Sequence, residues 1–317
     1  MKKLLIAAIA TMTLAAPTQA GWFSNYFKYT KTKHPIVLVP GIFAFDTIAG
    51  IDYWYQIPSA IESRGGKVFV PKINAFDNSV KRGEQLIAQL DEIKAGSGGK
   101  ITKFNLMGHS QGGLTSRYVM TVRPDLVASL TSMSTPHSGS PMADLTTGIT
   151  PEGSVSSNLI TSVGNAVGNL VNLLSDNKAS KSDINAMLSE FNAAGSADFN
   201  ARYPLGLPAQ ECGEGAGSVT VNGNNIELFS WGGGSTFTAA IDPSDLLFGI
   251  TSLAFEGAPS DGIVGVCSNH FGRVLRDDYK MNHIDINNHV LGLVSIFDTN
   301  PKTVFKNHAN RLKKMGL

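Results

Sequence analysis

The run Phe104-Asn105-Leu106-Met107-Gly108-His109-Ser110-Gln111-Gly112-Gly113 leaves this chain little choice of architecture. An apolar, strand-like stretch from Ile101 to Met107 enters Gly-x-Ser-x-Gly, and a helix-compatible stretch from Leu114 to Val122 leaves it. That is the layout of a nucleophile elbow, a sharp strand-to-helix turn that presents a serine hydroxyl above a sheet. Lacking Cβ atoms, Gly108 and Gly112 let strand and helix close in around a strained Ser110. A serine at a helix start also lies near backbone N–H groups that favour developing negative charge. The bare pattern arises by composition in a chain with 33 glycines, so its weight comes from the strand before it and the helix after it. Ser110 is the candidate nucleophile.

Around this turn the chain alternates short apolar stretches with helical patterns. Strands are expected at 35–39, 67–73, 101–107, 127–133 and 226–231, each rich in apolar or β-branched residues and closed by Gly, Pro or Ser. Between them, 79–93 carries Val80, Ile87, Leu90 and Ile93 at the spacing of a buried helical stripe. Strands alternating with helices imply a mostly parallel sheet covered on both faces, an α/β domain whose site lies beyond the strands' carboxyl ends. The stretch 144–203 breaks this rhythm. It is rich in Ser, Asn, Gly and Ala, yet carries Leu159, Ile160, Val163, Val167, Leu170, Val171, Leu173 and Leu174 at helical spacing. It reads either as a cap helix buried on the core or as a lid whose apolar face covers the site in water and turns toward lipid when open.

Residues 1–20 have the form of a secretory signal: Lys2 and Lys3, an apolar run from Leu4 to Ala16, then Thr18-Gln19-Ala20 as a small-residue cleavage site. The run is short for a membrane span, and no later segment is long and apolar enough for one. The mature chain is expected to begin at Gly21, exported and without a transmembrane segment. A net charge of +1 with 16% charged residues gives no electrostatic case for nucleic acid. Arg311, Lys313 and Lys314 read as a solvated helix face. The two cysteines, Cys212 and Cys267, suit an oxidising compartment, where one disulfide is the simplest arrangement.

A serine hydroxyl needs a base, usually a histidine whose tautomer is fixed by a carboxylate, and on this architecture the acid and then the base follow the serine. Candidate acids are Asp242, Asp245, Asp261 and Asp285, with Asp261 set in the sharp turn Ala258-Pro259-Ser260-Asp261-Gly262. Of the seven histidines, His34 reads as a surface residue, His308 as solvated on the C-terminal helix, and His109 as pointing away from the site. His137 lies upstream of the acids. His270, His283 and His289 stay open, with His283 placed in a loop before a helix. The oxyanion hole should use the amides of Gln111 and of Ile42 in the loop Val39-Pro40-Gly41-Ile42-Phe43. Neighbouring Phe43, Phe45 and Trp54 suit either an acyl chain or core packing.

With those motifs assembled, the chain resembles the secreted bacterial true lipases typified by the Pseudomonas enzymes, over nearly all of its mature length. The resemblance is carried by Pro35-Ile36-Val37-Leu38, Phe45-Asp46, Asp52-Tyr53-Trp54, the 108–113 elbow and Thr135-Pro136-His137-Ser138-Gly139-Ser140. Asp242-Pro243-Ser244-Asp245, Asp261-Gly262-Ile263-Val264-Gly265, Met281-Asn282-His283 and His308-Ala309-Asn310-Arg311-Leu312 add to it. It implies an α/β-hydrolase fold with a mostly parallel sheet, helices on both faces and a helical lid. The domain would be single, 21–317, with the lid insertion at about 144–203 and the lid itself at 155–175. It further implies the triad Ser110, Asp261 and His283, and a Cys212–Cys267 bridge. One calcium ion is implied, held by the side chains of Asp242 and Asp285 and the carbonyls of His289 and Leu293. Position 289 is often Gln in that family, and Pro40-Gly41 stands where many relatives have His-Gly. The same likeness implies triacylglycerol hydrolysis at a lipid–water interface, a membrane-anchored lipase-specific foldase and export through the periplasm by a type II route. An alternative is a soluble carboxylesterase or polyester depolymerase on the same fold; a non-catalytic lipid-binding protein is the third reading.

Overall fold

Ile36-Val37-Leu38-Val39 is apolar at every position, as a strand buried on both faces must be. In a computed structural model describing residues 26–42, 47–48, 51–75, 77–149, 156–175 and 188–317, this segment forms β1 (Ile36–Val39) of a seven-stranded sheet. Its side chains divide by parity. Ile36 and Leu38 enter one apolar cluster, Val37 and Val39 another on the opposite face.

A small antiparallel pair, β2 (Thr47–Ile48) and β3 (Ile51–Asp52), and helix α1 (Ile57–Glu62) lead to β4 (Val68–Phe69). Helix α2 (Ser79–Gly96), capped by the Asn78 side chain, precedes β5 (Phe104–His109), α3 (Gln111–Val122) and β6 (Val127–Met133). The insertion that follows contains α4 (Pro141–Thr147), α5 (Ser157–Ser175) and α6 (Ala193–Arg202). The chain returns to the sheet with β7 (Ser218–Val221) and β8 (Asn224–Gly233), then forms α7 (Pro243–Thr251), β9 (Arg273–Tyr279) and α8 (Pro301–Lys314).

The strand order is β4-β1-β5-β6-β8-β7, with β9 also on β8. β8's outer edge is shared. Its first half pairs antiparallel with β7, its second half parallel with β9. The remaining pairings are parallel, with Val39 opposite Gly108 and Gly108 opposite Ser132, so the carboxyl ends of β1, β5 and β6 lie side by side. Leu86 and Leu90 of α2 and Val119 and Met120 of α3 cover one face; Ile57 and Ile61 of α1 and Val304, Phe305 and Leu312 of α8 cover the other.

The five expected strands all exist, with shifted ends: 67–73 contracts to Val68–Phe69 and 226–231 extends to Asn224–Gly233. β7 and β9 were not anticipated. They lie at the sheet's edge with alternating or half-buried positions, Arg273–Tyr279 carrying four charges, so neither has the apolar run that betrays an interior strand. The expectations for His34 and His308 are overturned. His34 is buried at the sheet's entrance, and His308 is 1% exposed, turned inward from α8, where its Nε2 lies 2.8 Å from Thr131 Oγ1. Cys212 and Cys267 are bridged. The expected signal at residues 1–20, Phe43, Phe45 and the side chains of Leu170, Val171, Leu173 and Leu174 lie outside the described residues. Val163 and Val167 of α5 pack into the same apolar cluster as Trp54 and Phe248, so the described part of the proposed lid lies against the body.

Candidate active site

Strand β5 stops because Ser110 leaves the extended region, with φ 55° and ψ −129°. That conformation costs a side-chain-bearing residue about 1–3 kcal/mol and persists only where its surroundings impose it. Here they do. A Cβ on Gly108 would stand 2.3 Å from Gly112 O, and one on Gly112 would stand 2.2 Å from Val39 O. Ser110 N–H donates to Met133 O at 2.9 Å, and Thr135 Oγ1 donates to Ser110 O at 2.9 Å, so the end of β6 holds the turn. The serine is thereby presented at the amino end of α3, as the motif predicts.

His283 Nε2 lies 3.0 Å from Ser110 Oγ, and its Nδ1 lies 2.9 Å from Asp261 Oδ2. His283 and Ser110 are 173 residues apart in sequence. Asp261 is fully buried, and its other oxygen, Oδ1, accepts from Ile263 N–H at 3.0 Å and Val264 N–H at 2.7 Å. His283 N–H in turn donates to Asp261 O, tying the two loops by main chain as well as side chain. A carboxylate can only accept, so Nδ1 carries the hydrogen and the Nε2 lone pair faces the serine hydroxyl. Chemically this is a serine poised to lose its proton. Residues 283–292 are successive turns rather than a loop running into a helix; the next helix is α8, and backbone hydrogen bonds such as His289 N to Ile284 O organise the segment instead.

The loop after β1 is held rigidly beside the elbow. A Cβ on Gly41 would meet Ser110 Cβ at 2.6 Å, which makes glycine the residue this approach admits. Gly41 N–H donates to Tyr53 Oη at 2.9 Å, and Arg82 Nη2 donates to Gly41 O at 2.9 Å and also to Pro40 O. Gly41 C=O and Ile42 N–H belong to one trans peptide plane, so fixing the carbonyl on the arginine side aims the Ile42 amide the other way. Arg82 is wholly buried, and burial lowers its guanidinium to about 10, still a cation at neutral pH. The Gln111 side chain donates to Asp77 O and to Glu190, whose carboxylate also takes Ser79 N–H and Oγ–H. Gln111 opens α3, where main-chain N–H groups have no intrahelical acceptor. Trp54 is 2% exposed and packs edge-on against Tyr53 and Phe305, which makes it core packing.

Asp285, two residues after His283, is close enough to Asp242 for their charges to interact. Asp242 Oδ1 accepts from Ser244, whereas its Oδ2 is buried with no hydrogen-bond partner. Burial, with the charges of Asp242 and Asp245 added, pushes Asp285 up to about 8. An orphaned carboxylate oxygen beside a second buried carboxylate fits a hard cation with oxygen ligands. Among the described residues no three His, Cys, Asp or Glu side chains group as a metal site, so a cation here would depend on two carboxylates and on carbonyl oxygens. Asp245 serves the loops instead, accepting from Thr238 N–H, Ala239 N–H and Asn282 Nδ2, next to His283.

The other histidines are accounted for. His270 bonds Asp277 and Gly213 O; the His289 ring lies tilted beside that of Tyr53, centroids 6.4 Å apart. His109 does not point away from the site. Its ring centroid is 4.8 Å from that of His283, and its Nε2 bonds the His283 carbonyl. Sequence reasoning missed Tyr53, Arg82 and Glu190 as elements of the site. Arg82 had a signal: on α2 it falls in the stripe of Ser79, Gly83, Leu86 and Leu90. Glu190 had none, and Tyr53 figured only in the family-like Asp52-Tyr53-Trp54, which assigns it no role; their contacts are set by distant segments.

A family model described as the alpha/beta hydrolase fold matches residues 34–203. A triacylglycerol lipase of Vibrio cholerae serotype O1 is 47% identical over 91% of this chain and 90% of its own length. One from Burkholderia plantarii is 36% identical over 98% of this chain and 94% of its own length. Among solved structures, the mature form of the Bacillus licheniformis lipase BlEst2 superposes with a TM-score of 0.58 at 17% identity, covering 89% of this chain and 93% of the other. With the sheet order, the elbow and these relatives in agreement, the chain belongs to the bacterial lipases of the alpha/beta hydrolase superfamily.

Proposed function

We propose that this enzyme hydrolyses the carboxylic ester bonds of triacylglycerols through an acyl-enzyme on Ser110. The observation that carries the reading is the continuous line Asp261–His283–Ser110, with an acceptor at Nδ1 that leaves the Nε2 lone pair for the serine proton. Ser110 Oγ attacks the ester carbonyl while His283 takes its proton and returns it to the leaving glycerol oxygen. Asp261 orients the ring and stabilises the imidazolium. The oxyanion is held by the amides of Ile42 and Gln111, with one such donor worth about 3–4 kcal/mol of transition-state stabilisation. Water, deprotonated by the same histidine, then releases the fatty acid. The triacylglycerol lipases of Vibrio cholerae and Burkholderia plantarii support the substrate class.

Calcium is the cation that suits Asp242 and Asp285, with the carbonyls of His289 and Leu293 completing its ligands. When bound it neutralises the buried acids and braces the segment carrying His283. The signal-like residues 1–20 and the Cys212–Cys267 bridge support secretion, and no helix among the described residues is long and apolar enough to cross a membrane. Export through the periplasm with help from a dedicated foldase agrees with that route. Folding yield in the presence and absence of such a partner tests it.

The deciding experiment is hydrolysis of a medium-chain triacylglycerol across its solubility limit, with phosphonate labelling of the serine. A rate that jumps once substrate forms a separate phase, and an adduct at Ser110, are expected. Smooth saturation would point to a soluble esterase or polyester depolymerase, and absence of the adduct to a lipid binder.

A further inference from the structure

His109 sits between two loops that the reaction must keep in register. Its Nε2 lies 2.8 Å from the backbone oxygen of His283, and its Nδ1 lies 2.6 Å from Tyr53 Oη. A carbonyl oxygen only accepts, so the hydrogen is on Nε2. Nδ1 of the neutral ring is then an acceptor, and Tyr53 must donate to it. Tyr53 Oη, in turn, accepts from Gly41 N–H at 2.9 Å. Every proton along Gly41 N–H, Tyr53 Oη–H, His109 and His283 C=O is therefore placed, and the chain runs in one direction. Burial, reinforced by repulsion from His283, holds His109 well below the usual histidine range and so keeps it neutral.

The turn that carries Tyr53 grips the His283 segment twice more. Asn287 Nδ2 donates to Tyr53 O at 2.7 Å, and Asn288 Nδ2 donates to Tyr55 O at 2.8 Å. One turn thus touches the loop bearing the oxyanion amide on one side and the segment bearing the base on the other. The ordinary role for such rings is packing, and Tyr53 does pack against Trp54. Packing, however, does not require the hydroxyl, which is buried at the junction of both loops.

We propose that Tyr53 and His109 are positioning residues for ester hydrolysis. They lock the Gly41–Ile42 loop to the backbone of His283, so the oxyanion amide and the base keep a common register around Ser110 Oγ. This rests on the assignment of Ser110, His283 and Asp261 as the reacting set. Both would act through other groups, Tyr53 Oη on Gly41 N–H and His109 Nε2 on the His283 carbonyl.

The test compares Tyr53→Phe, His109→Leu and His109→Gln with the wild-type enzyme on a soluble short-chain ester, counting active sites by phosphonate titration and recording Tm. Tyr53→Phe removes one oxygen and keeps the ring, so it should fold. Its kcat per titrated site should fall about 10–100-fold, the scale of a small misplacement at a reacting centre. KM should stay within about twofold, because the lost contact acts on the transition state more than on binding. His109→Leu should fall at least as far. His109→Gln, whose amide can still donate to the His283 carbonyl, should recover a clear part of that loss. Unchanged kcat in Tyr53→Phe and His109→Leu with a lowered Tm would overturn the proposal, as would Gln performing no better than Leu. Ser110→Ala run alongside separates the two levels. If it retains turnover, the site assignment itself fails; if it is dead while Tyr53→Phe is unimpaired, only the positioning role fails.

Discussion

Two serine–histidine pairs lie close together on the same sheet. In one, His283 Nε2 is 3.0 Å from Ser110 Oγ; in the other, His137 Nε2 is 2.7 Å from Ser132 Oγ. Both are buried. By distance alone the second is the better couple, yet it has no means to act as a base. Arg117 Nη1 lies 3.0 Å from His137 Nδ1 and can only donate, so the Nδ1 lone pair is consumed and the hydrogen resides on Nε2, pointing at the serine. Asp261 imposes the reverse order on His283. Burial and the Arg117 charge together hold His137 well below the usual histidine range. A third couple, Thr131 with His308 and Arg311, repeats the arginine pattern elsewhere on β6. What sets a nucleophile apart is therefore the third partner, together with a backbone turn that lifts the hydroxyl out of a strand.

The sharpest way to break this comparison is to delete each hydroxyl in turn. Ser110→Ala should cut turnover by about a million-fold, the scale seen when a triad serine is removed. Ser132→Ala should leave kcat within about threefold and cost about 1–3 kcal/mol, because His137 Nε2–H loses its buried acceptor. Steady-state kinetics with urea unfolding checks both; comparable rate losses would show the two pairs to be equivalent. Next in size, Asp261→Asn should lower kcat about 10⁴-fold, since an amide N–H facing Nδ1 gives His283 the tautomer that His137 already has. Retention of most activity would contradict the role given to tautomer direction.

The two regions also differ in what supports them. The His283 segment itself carries Asp285, whose charge meets that of Asp242, whereas His137 is held by Arg117 and Asn200. An acid raised to about 8 in the folded state, against about 4 when unfolded, stays protonated where the unfolded chain has ionised. In chelator, stability should therefore be greatest below the unfolded value and decline as pH rises toward 8; calcium should restore it, most strongly at the alkaline end. Urea midpoints at pH 5 and 8, with chelator and then calcium, test this. Equal midpoints without the ion would remove the link. Reduction of the Cys212–Cys267 bridge, which closes a 55-residue separation, should cost about 4 kcal/mol in the chain-entropy model while cold activity persists. Immediate loss of activity without unfolding would make the bridge part of the site.

How much of this was legible in advance depends on the range of the interaction. The elbow could be read because close backbone approach leaves a local signature, the glycines at 108 and 112. Strands β1, β5 and β6 were legible because interior strands carry dense apolar stretches. His283 could not be separated from His270 and His289 by spacing, because its partners lie 22 and 173 residues away. Family resemblance named it, and the structure places its ring between Asp261 and Ser110. His308 was misjudged because its neighbours on α8 are basic, although the helix turns it inward onto Thr131. Glu190 carries no local mark, and the motif Asp52-Tyr53-Trp54 marks Tyr53 without saying what it does. Their importance is created by the tertiary meeting of loops, as when Glu190, returning from the cap, closes on Ser79 and Gln111.

The backbone angles at Ser110 have a further consequence. A φ of 55° with ψ near −129° is territory that glycine enters freely and serine does not. Folding, left to its own preferences, would choose glycine at 110, and a selection for heat resistance that ignored turnover should recover it there. The reactive oxygen thus occupies a spot the scaffold tolerates rather than favours.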